Sequence, residues 1–302
     1  MTDMTVSLAG VRLKNPLVAA SGCFGFGREY DEYFDISILG GLSVKGLTLR
    51  PRDGNPPPRA AETPGGMLNS VGLQNPGVEA FLRDELPFLK TKDVAVFANI
   101  SGGSPEDYGE MAGLLGDAVD LLEVNISCPN LNDRGENFGS EPRAAAAVTE
   151  TVKKRARVPV CVKLSPNVSD IAEIALACKN AGADALSLIN TLYGMRIDLE
   201  TRRPVLRTNA GGLSGPAVFP VAVRCVWQAA AKTGLPVVGM GGVSSGADAA
   251  EMMVAGASAV GIGTALFGDP LAPVRILREL RDWCGKAGVD KVSELTGSVK
   301  AY

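Results

Sequence analysis

No histidine occurs anywhere in the 302 residues. That absence removes His-based catalytic triads and most zinc and non-haem iron sites, which use imidazole as base or ligand. Cysteine is sparse and scattered: Cys23, Cys128, Cys161, Cys178, Cys225 and Cys284 lie far apart, with no C-x-x-C pair. This spacing offers neither a zinc site nor an iron–sulfur motif, and a chain of this size needs no disulfide framework. A reducing, cytoplasmic setting is the expectation. Positive charge is not in excess, with 30 Lys and Arg against 33 Asp and Glu and a net charge of -3. Nucleic acid is therefore not the expected partner. No apolar run reaches the length of a membrane span, and Met1–Thr5 does not read as a signal peptide, so no membrane association is expected.

What is present is a hydrophobic content of 46%, enough for a large core, with no break in composition that would mark a domain boundary. One domain over residues 1–302 is expected. Apolar, β-rich runs recur at Pro16–Ala20, Leu42–Leu47, Val94–Ile100, Leu121–Ser127, Pro159–Leu164, Ala185–Asn190, Pro236–Met240 and Ala259–Gly263. Amphipathic stretches at Glu79–Leu89, Pro105–Ala118, Glu141–Arg155, Val168–Ala181, Pro216–Thr233, Gly246–Ala255 and Leu271–Cys284 separate most of them. The runs are nearly continuous in apolar residues rather than alternating, as parallel strands covered by helices require. Eight such strands in this length predict an α/β fold, a (β/α)8 TIM barrel. A doubly wound sheet lacks its G-x-G-x-x-G signature here. Val6–Leu13 predicts a small hairpin ahead of the first barrel strand, and Arg50–Gly77 predicts a long excursion after strand 2.

The active face of such a barrel lies at the C-terminal strand ends. Those ends carry Ser21, Lys45 and Gly46, Asn99, Asn125 and Cys128, Lys163, and Asn190 with Thr191. A lone Asn is most often a turn residue and a lone Lys a solvated chain. Here the set converges on one mouth, and both lysines follow buried runs, where a cation needs an anionic or electron-rich partner. Glu123 shares the parity of Asn125 and is expected to point inward too. The last two strands end in Gly239-Met-Gly241-Gly242 and Gly261-Ile-Gly263-Thr264, joined by Gly211-Gly212-Leu-Ser214-Gly215. These supply unobstructed backbone N–H groups where this fold binds phosphate. A flat, hydrogen-bonding ring with a phosphate describes FMN, and a cation beside such a ring stabilises its reduced anion. Removing hydride from a saturated carbon also calls for a base on the far side of the substrate. Without histidine, Cys128, between two asparagines on a strand-end loop, is the leading candidate. The loop that follows, through Ser140, is expected to bring the thiol over the substrate.

The segments Lys45–Thr48, Asn55–Arg59, Thr63–Gly77, Asn125–Asn130, Val162–Asn167 and Ile189–Thr191, with the terminal glycine pairs, resemble the dihydroorotate dehydrogenase family. The resemblance runs from about Val6 to the C-terminus. A thiol at the base position is similar to the soluble class 1; the membrane-associated class has Ser there and an N-terminal extension not seen here. The wording of Thr63–Gly77 resembles the NAD-linked (B) subtype and its catalytic subunit. The resemblance implies an FMN enzyme oxidising dihydroorotate to orotate, with one FMN per chain. It further implies a homodimer joined by two electron-transfer subunits that carry FAD and a [2Fe–2S] cluster. Carried onto this chain, Cys128 takes a proton, while Lys45, Asn69, Val71, Gly72, Leu73, Asn125, Asn130, Asn190 and Thr191 hold the substrate. Ser21, Lys45, Gly46, Asn99, Asn125, Lys163, Ile189, Gly215, Gly241, Gly242, Gly263 and Thr264 would hold FMN. A fumarate-linked enzyme, a dihydropyrimidine dehydrogenase-like FMN subunit and a flavin-free sugar-phosphate barrel are the competing readings.

Overall fold

A computed structural model describes residues 2–127 and 138–302. The chain opens with an antiparallel hairpin, β1 (Val6–Leu8) and β2 (Val11–Leu13), which buries Val6, Leu8 and Leu13. It then enters the barrel through β3 (Leu17–Ala19) and β4 (Gly41–Ser43). A second hairpin, β5 (Ala60–Thr63) and β6 (Gly66–Asn69), leaves the barrel. The chain returns through β7 (Ala95–Ile100), β8 (Leu121–Asn125), β9 (Val160–Lys163) and β10 (Ala185–Leu188). A second excursion carries β11 (Leu192–Gly194), β12 (Ile197–Asp198), β13 (Arg203–Pro204) and β14 (Gly211–Ser214). β15 (Val237–Met240) and β16 (Ala259–Ile262) complete the set.

Eight of these strands, β3-β4-β7-β8-β9-β10-β15-β16, pair in parallel and close on themselves, as the apolar runs predict. Every residue of β8, β9, β10, β15 and β16 is buried, because side chains on one face fill the barrel and those on the other meet the helices. Local chemistry fixes where the elements start. Ser104 and Asp170 cap the helices Pro105–Leu115 and Ile171–Asn180, and Ser245 with Asp248 forms a reciprocal capping box at Gly246–Ala255. Asp120 and Asp184, each just before a strand, accept the N–H of Val96 and Val160 at the start of the neighbouring strand, at 2.7 and 2.8 Å. Among the described residues no helix is long and apolar enough to cross a membrane.

Two expectations need revision. The second barrel strand does not run to Leu47. After Ser43 the chain bends, the Lys45 N–H donates to the Gly25 carbonyl at 2.9 Å, and Leu47 rejoins β7 by donating to Asn99 O at 2.8 Å. The helix of Val78–Leu89 has a π turn over Phe81–Glu85, just ahead of Pro87. A proline has no N–H to give and crowds the carbonyl four residues back, and the wider turn accommodates both.

The two excursions meet. β5, β6, β11 and β14 form a four-stranded antiparallel sheet in the order β11-β14-β6-β5, with Gly212 opposite Asn69 and Ser214 opposite Met67. The Pro/Gly-rich stretch after strand 2 is thus half of a sheet whose other half comes from the connection after β10. Asn75 ties it down: its side chain accepts from the Thr48 and Gly77 N–H groups and donates to Leu73 O.

Two helices pack closely at Gly246, where an added Cβ would stand 2.3 Å from Leu280 N and 2.5 Å from Glu279 C. Gly113, exposed within Pro105–Leu115, has nothing within 4 Å of that position. Gly246→Ala is expected to destabilise by about 1–3 kcal/mol through overpacking. Gly113→Ala is expected to stabilise by roughly 0.5–1 kcal/mol through helix propensity. Urea unfolding of the two variants checks the contrast, and equal effects of one sign would contradict it.

Candidate active site

The C-terminal strand ends surround a cleft with two connected chambers. The outer one, of about 480 Å³, is lined by Lys45, Gly46, Asn69, Val71, Gly72, Leu73 and Asn125 among others. The inner one, of about 150 Å³, is lined by Ile189, Gly215, Gly241, Gly242 and Gly263. Ser21, Lys163, Asn190 and Thr191 border both, as does Thr264. Of the residues singled out in the sequence, all of these therefore meet at one mouth. Asn99 is the exception, lying one layer deeper and fully buried. Cys128, Asn130 and the segment to residue 137 lie outside the described residues.

The inner chamber owes its shape to glycine. Gly215 (φ 104°) and Gly242 (φ 79°) both adopt backbone conformations that side chains disfavour. A Cβ on Gly242 would lie 2.8 Å from both the Gly215 carbonyl oxygen and Phe219 Cβ, so only glycine lets these loops approach. The expected glycine loop Gly211–Gly215 is corrected in part. Gly211–Ser214 is strand β14, held between β6 and β11, and within this stretch Leu213, Ser214 and Gly215 reach the inner chamber.

The outer chamber is organised by a relay of oriented amides. Thr191 N–H donates to Asn190 Oδ1 at 2.8 Å, Asn190 Nδ2 donates to Ser127 Oγ at 2.7 Å, and Ser127 Oγ donates to Asn125 Oδ1 at 2.8 Å. The Asn125 acceptor is thereby engaged from within the protein. Tyr108 Oη donates to the Asn125 carbonyl at 2.8 Å, holding the strand end from behind. Asn167 joins this wall to the covering sheet, donating to Thr191 O and accepting from the Tyr193 N–H, both at 2.9 Å.

Beneath the floor sits Glu123, 2% exposed, in the barrel interior. Its carboxylate accepts from Ser43 Oγ, from Asn99 Nδ2 at 2.6 Å and from Ser187 Oγ at 2.8 Å. Burial pushes this carboxyl upward, but the Lys163 charge and the three hydrogen bonds outweigh it and hold the group below its ordinary value. Because Glu123 holds the nitrogen end of the Asn99 amide, Asn99 Oδ1 points the other way, toward Gly46. That oxygen is buried without a hydrogen-bond partner, as is Ser70 Oγ at the edge of the outer chamber. Such unpaired buried polar atoms are uncommon in folded proteins.

Sequence reasoning missed Ser127 and Cys23. Ser127 shares the parity of Asn125, a signal that was available. Cys23 lines both chambers; burial pushes its thiol upward against the opposing charges of Lys163 and Lys45. Asn55 was visible only as part of a motif; it packs against Gly72 and donates to the Ser70 carbonyl at 2.8 Å.

A closed parallel barrel with a polar strand-end mouth and a glycine-walled inner chamber defines a (β/α)8 protein of the enzyme type. The model of one family, described as dihydroorotate dehydrogenase, matches residues 3–283. The chain belongs to the dihydroorotate dehydrogenase family. It is 51% identical over 300 residues to a protein of Geotalea daltonii named dihydroorotate dehydrogenase B (NAD(+)), catalytic subunit, covering 99% of this chain and 98% of that one. A Bacillus mycoides protein of the same name is 51% identical over 299 residues, covering 98% and 97%. A crystal structure of DHODH from Eimeria tenella in complex with ferulenol shares the fold, with a TM-score of 0.83 at 22% identity over 98% of this chain and 88% of that one.

The lowered carboxyl of Glu123 has a consequence for acid stability. A depressed folded value means its stabilisation is fully present above the ordinary value of 4.5 and is lost as pH falls through the lower folded value. Glu123→Gln is expected to be less stable at neutral pH and to lose this part of the acid dependence. Urea midpoints at a series of pH values below about 5 check this; parallel curves for the two proteins would contradict it.

Proposed function

We propose that this chain is the FMN-bearing catalytic subunit of a dihydroorotate dehydrogenase that serves pyrimidine biosynthesis and passes its electrons to NAD+ through a partner subunit. The observation that carries the reading is the joining, in one cleft, of a glycine-walled inner chamber to an outer chamber of lysines and oriented amides. The naming of relatives at about half identity over nearly the whole chain supports the same reaction.

The family is flavin-dependent, and the residues present fit FMN. The inner chamber, at the ends of β15 and β16, offers the backbone of Gly215, Gly241, Gly242, Gly263 and Thr264 to a phosphate. Ser21, Gly46 and Lys163 border the path from there to the outer chamber, and Ile189 lines the inner wall. Asn99 Oδ1, an acceptor without a donor, suits the imide N–H of the flavin ring. When bound, FMN accepts the hydride that leaves C6 of dihydroorotate.

The chain's own residues supply the rest. Lys45 lies at the outer chamber beside Asn69, Val71, Gly72 and Leu73, a combination suited to the substrate carboxylate. Asn125, Asn190 and Thr191 face the amide edges of the pyrimidine ring, with Asn130 assigned there from its motif. Cys128, three residues after Asn125, takes the proton from C5, next to the ring carbonyl. The C5–H pair becomes the new C5–C6 double bond as the C6–H pair departs, so the ring loses one proton and one hydride.

A partner is part of this reading because the relatives are named as catalytic subunits. An electron-transfer subunit carrying FAD and a [2Fe–2S] cluster would receive the electrons, in an assembly of two copies of each chain.

Purified chain is expected to be yellow, and orotate, but not uracil, is expected to perturb its flavin spectrum. With dihydroorotate and NAD+, NADH should accumulate only after the partner is added; turnover with fumarate instead would reassign the acceptor. A colourless protein that takes up no FMN would overturn the reading. Cys128→Ala is expected to retain FMN but slow flavin reduction in stopped flow by roughly 10²–10⁴-fold. Reduction at full speed would remove Cys128 from the mechanism.

A further inference from the structure

Glu123 takes no part in the chemistry above, yet it is a buried charge beneath the cleft with three side-chain hydrogen bonds. Its hydrogen-bond donors come from β4, β7 and β10, its own strand is β8, and the lysine whose charge it feels ends β9. These are five consecutive strands of the closed barrel. A carboxylate buried to this degree is unfavourable unless something compensates it, and two serines with one amide do so here. A hydroxyl or an apolar side chain would fill the space without that demand.

Two effects reach the cleft from this position. The first is steric and directional. Asn99 can turn its amide either way, but a carboxylate accepts only, so the nitrogen must face Glu123 and the oxygen must face Gly46. The second is electrostatic. Lys163 is 5% exposed, borders both chambers and pairs across the sheet with Ser187, whose hydroxyl donates to Glu123, so the carboxylate and the ammonium share a poorly screened interior. A cation beside a flavin favours its reduced, anionic form, and an anion behind that cation moderates the effect.

We propose that Glu123 is a positioning residue that holds the Asn99 acceptor toward the cofactor and tempers Lys163, so that it sets the reduction potential of the bound flavin. This rests on the FMN reading above. Glu123 touches neither substrate nor cofactor and acts through Asn99 and Lys163. Replacing it by Gln removes the negative charge and lets the facing amide compete for either orientation of Asn99. The bound flavin then becomes easier to reduce. Removing the Ser187 hydroxyl has the opposite sign, because the carboxylate loses one donor and presents more of its charge to Lys163.

The test uses the FMN-loaded chain equilibrated with a reference dye of known potential, with the ratio of reduced to oxidised flavin read spectroscopically. Glu123→Gln is expected to raise that ratio at least about tenfold, which is about 30 mV for a two-electron couple. Ser187→Ala is expected to lower it by a smaller factor, and FMN affinity, titrated separately on stripped protein, gives a second readout. A folded, loaded Glu123→Gln whose ratio stays within about twofold of wild type would overturn the proposal. If that variant does not fold, Ser187→Ala decides, and an unchanged or raised ratio there overturns it. Wild-type protein that takes up no FMN would instead defeat the functional reading, a result distinguishable from either variant outcome.

Discussion

One carboxylate inside the barrel conditions the mouth above it. A closed barrel of short parallel strands normally fills its interior with branched apolar side chains. In the layer below the cleft the interior is instead polar: Ser43, Asn99, Glu123 and Ser187 form one hydrogen-bonded group. Such a layer is tolerable only when its members are satisfied together, since a half-paired charge in a low-dielectric interior is worse than none. The one acceptor left over, Asn99 Oδ1, is on the side of the cleft. The polarity of this layer and the orientation of the Asn99 amide thus have a single origin.

The barrel was legible because its physics is local. Strands buried on both faces must be continuous apolar runs, and all eight were read in order from that property alone. The polar residues at their ends were legible for the same reason: Lys45, Asn125, Lys163 and Asn190 interrupt apolar runs where a strand has to stop. The covering sheet was not legible. β6 and β14 are far apart in sequence, and Gly212 gives no local sign that it will lie opposite Asn69. A glycine-rich segment reads as a loop unless its partner strand is known. Strand 2 ends before its apolar run does, because Lys45 bonds to Gly25 between Val44 and Leu47, and apolarity alone does not reveal that bend. The parity of Glu123 was readable, but its partners come from other strands and required the closed barrel to be seen.

The two excursions also explain how an antiparallel element came to cover a parallel barrel. Neither hairpin could be stable alone, since two short strands bury too little. Paired with each other, they make four strands tied to the barrel through Asn75 on one side and Asn167 on the other. Asn69 of the outer chamber and Ser214 of the inner chamber's wall therefore belong to the same added sheet.

That division has a kinetic meaning. The ends of β15 and β16 frame the inner chamber and residues after β4 and on β6 frame the outer one, while residues after β10 and on β14 border both. Two ligands gripped by different segments need not share a clock. On the reading proposed above, a group held deep against the backbone would exchange more slowly than one held at the outer rim.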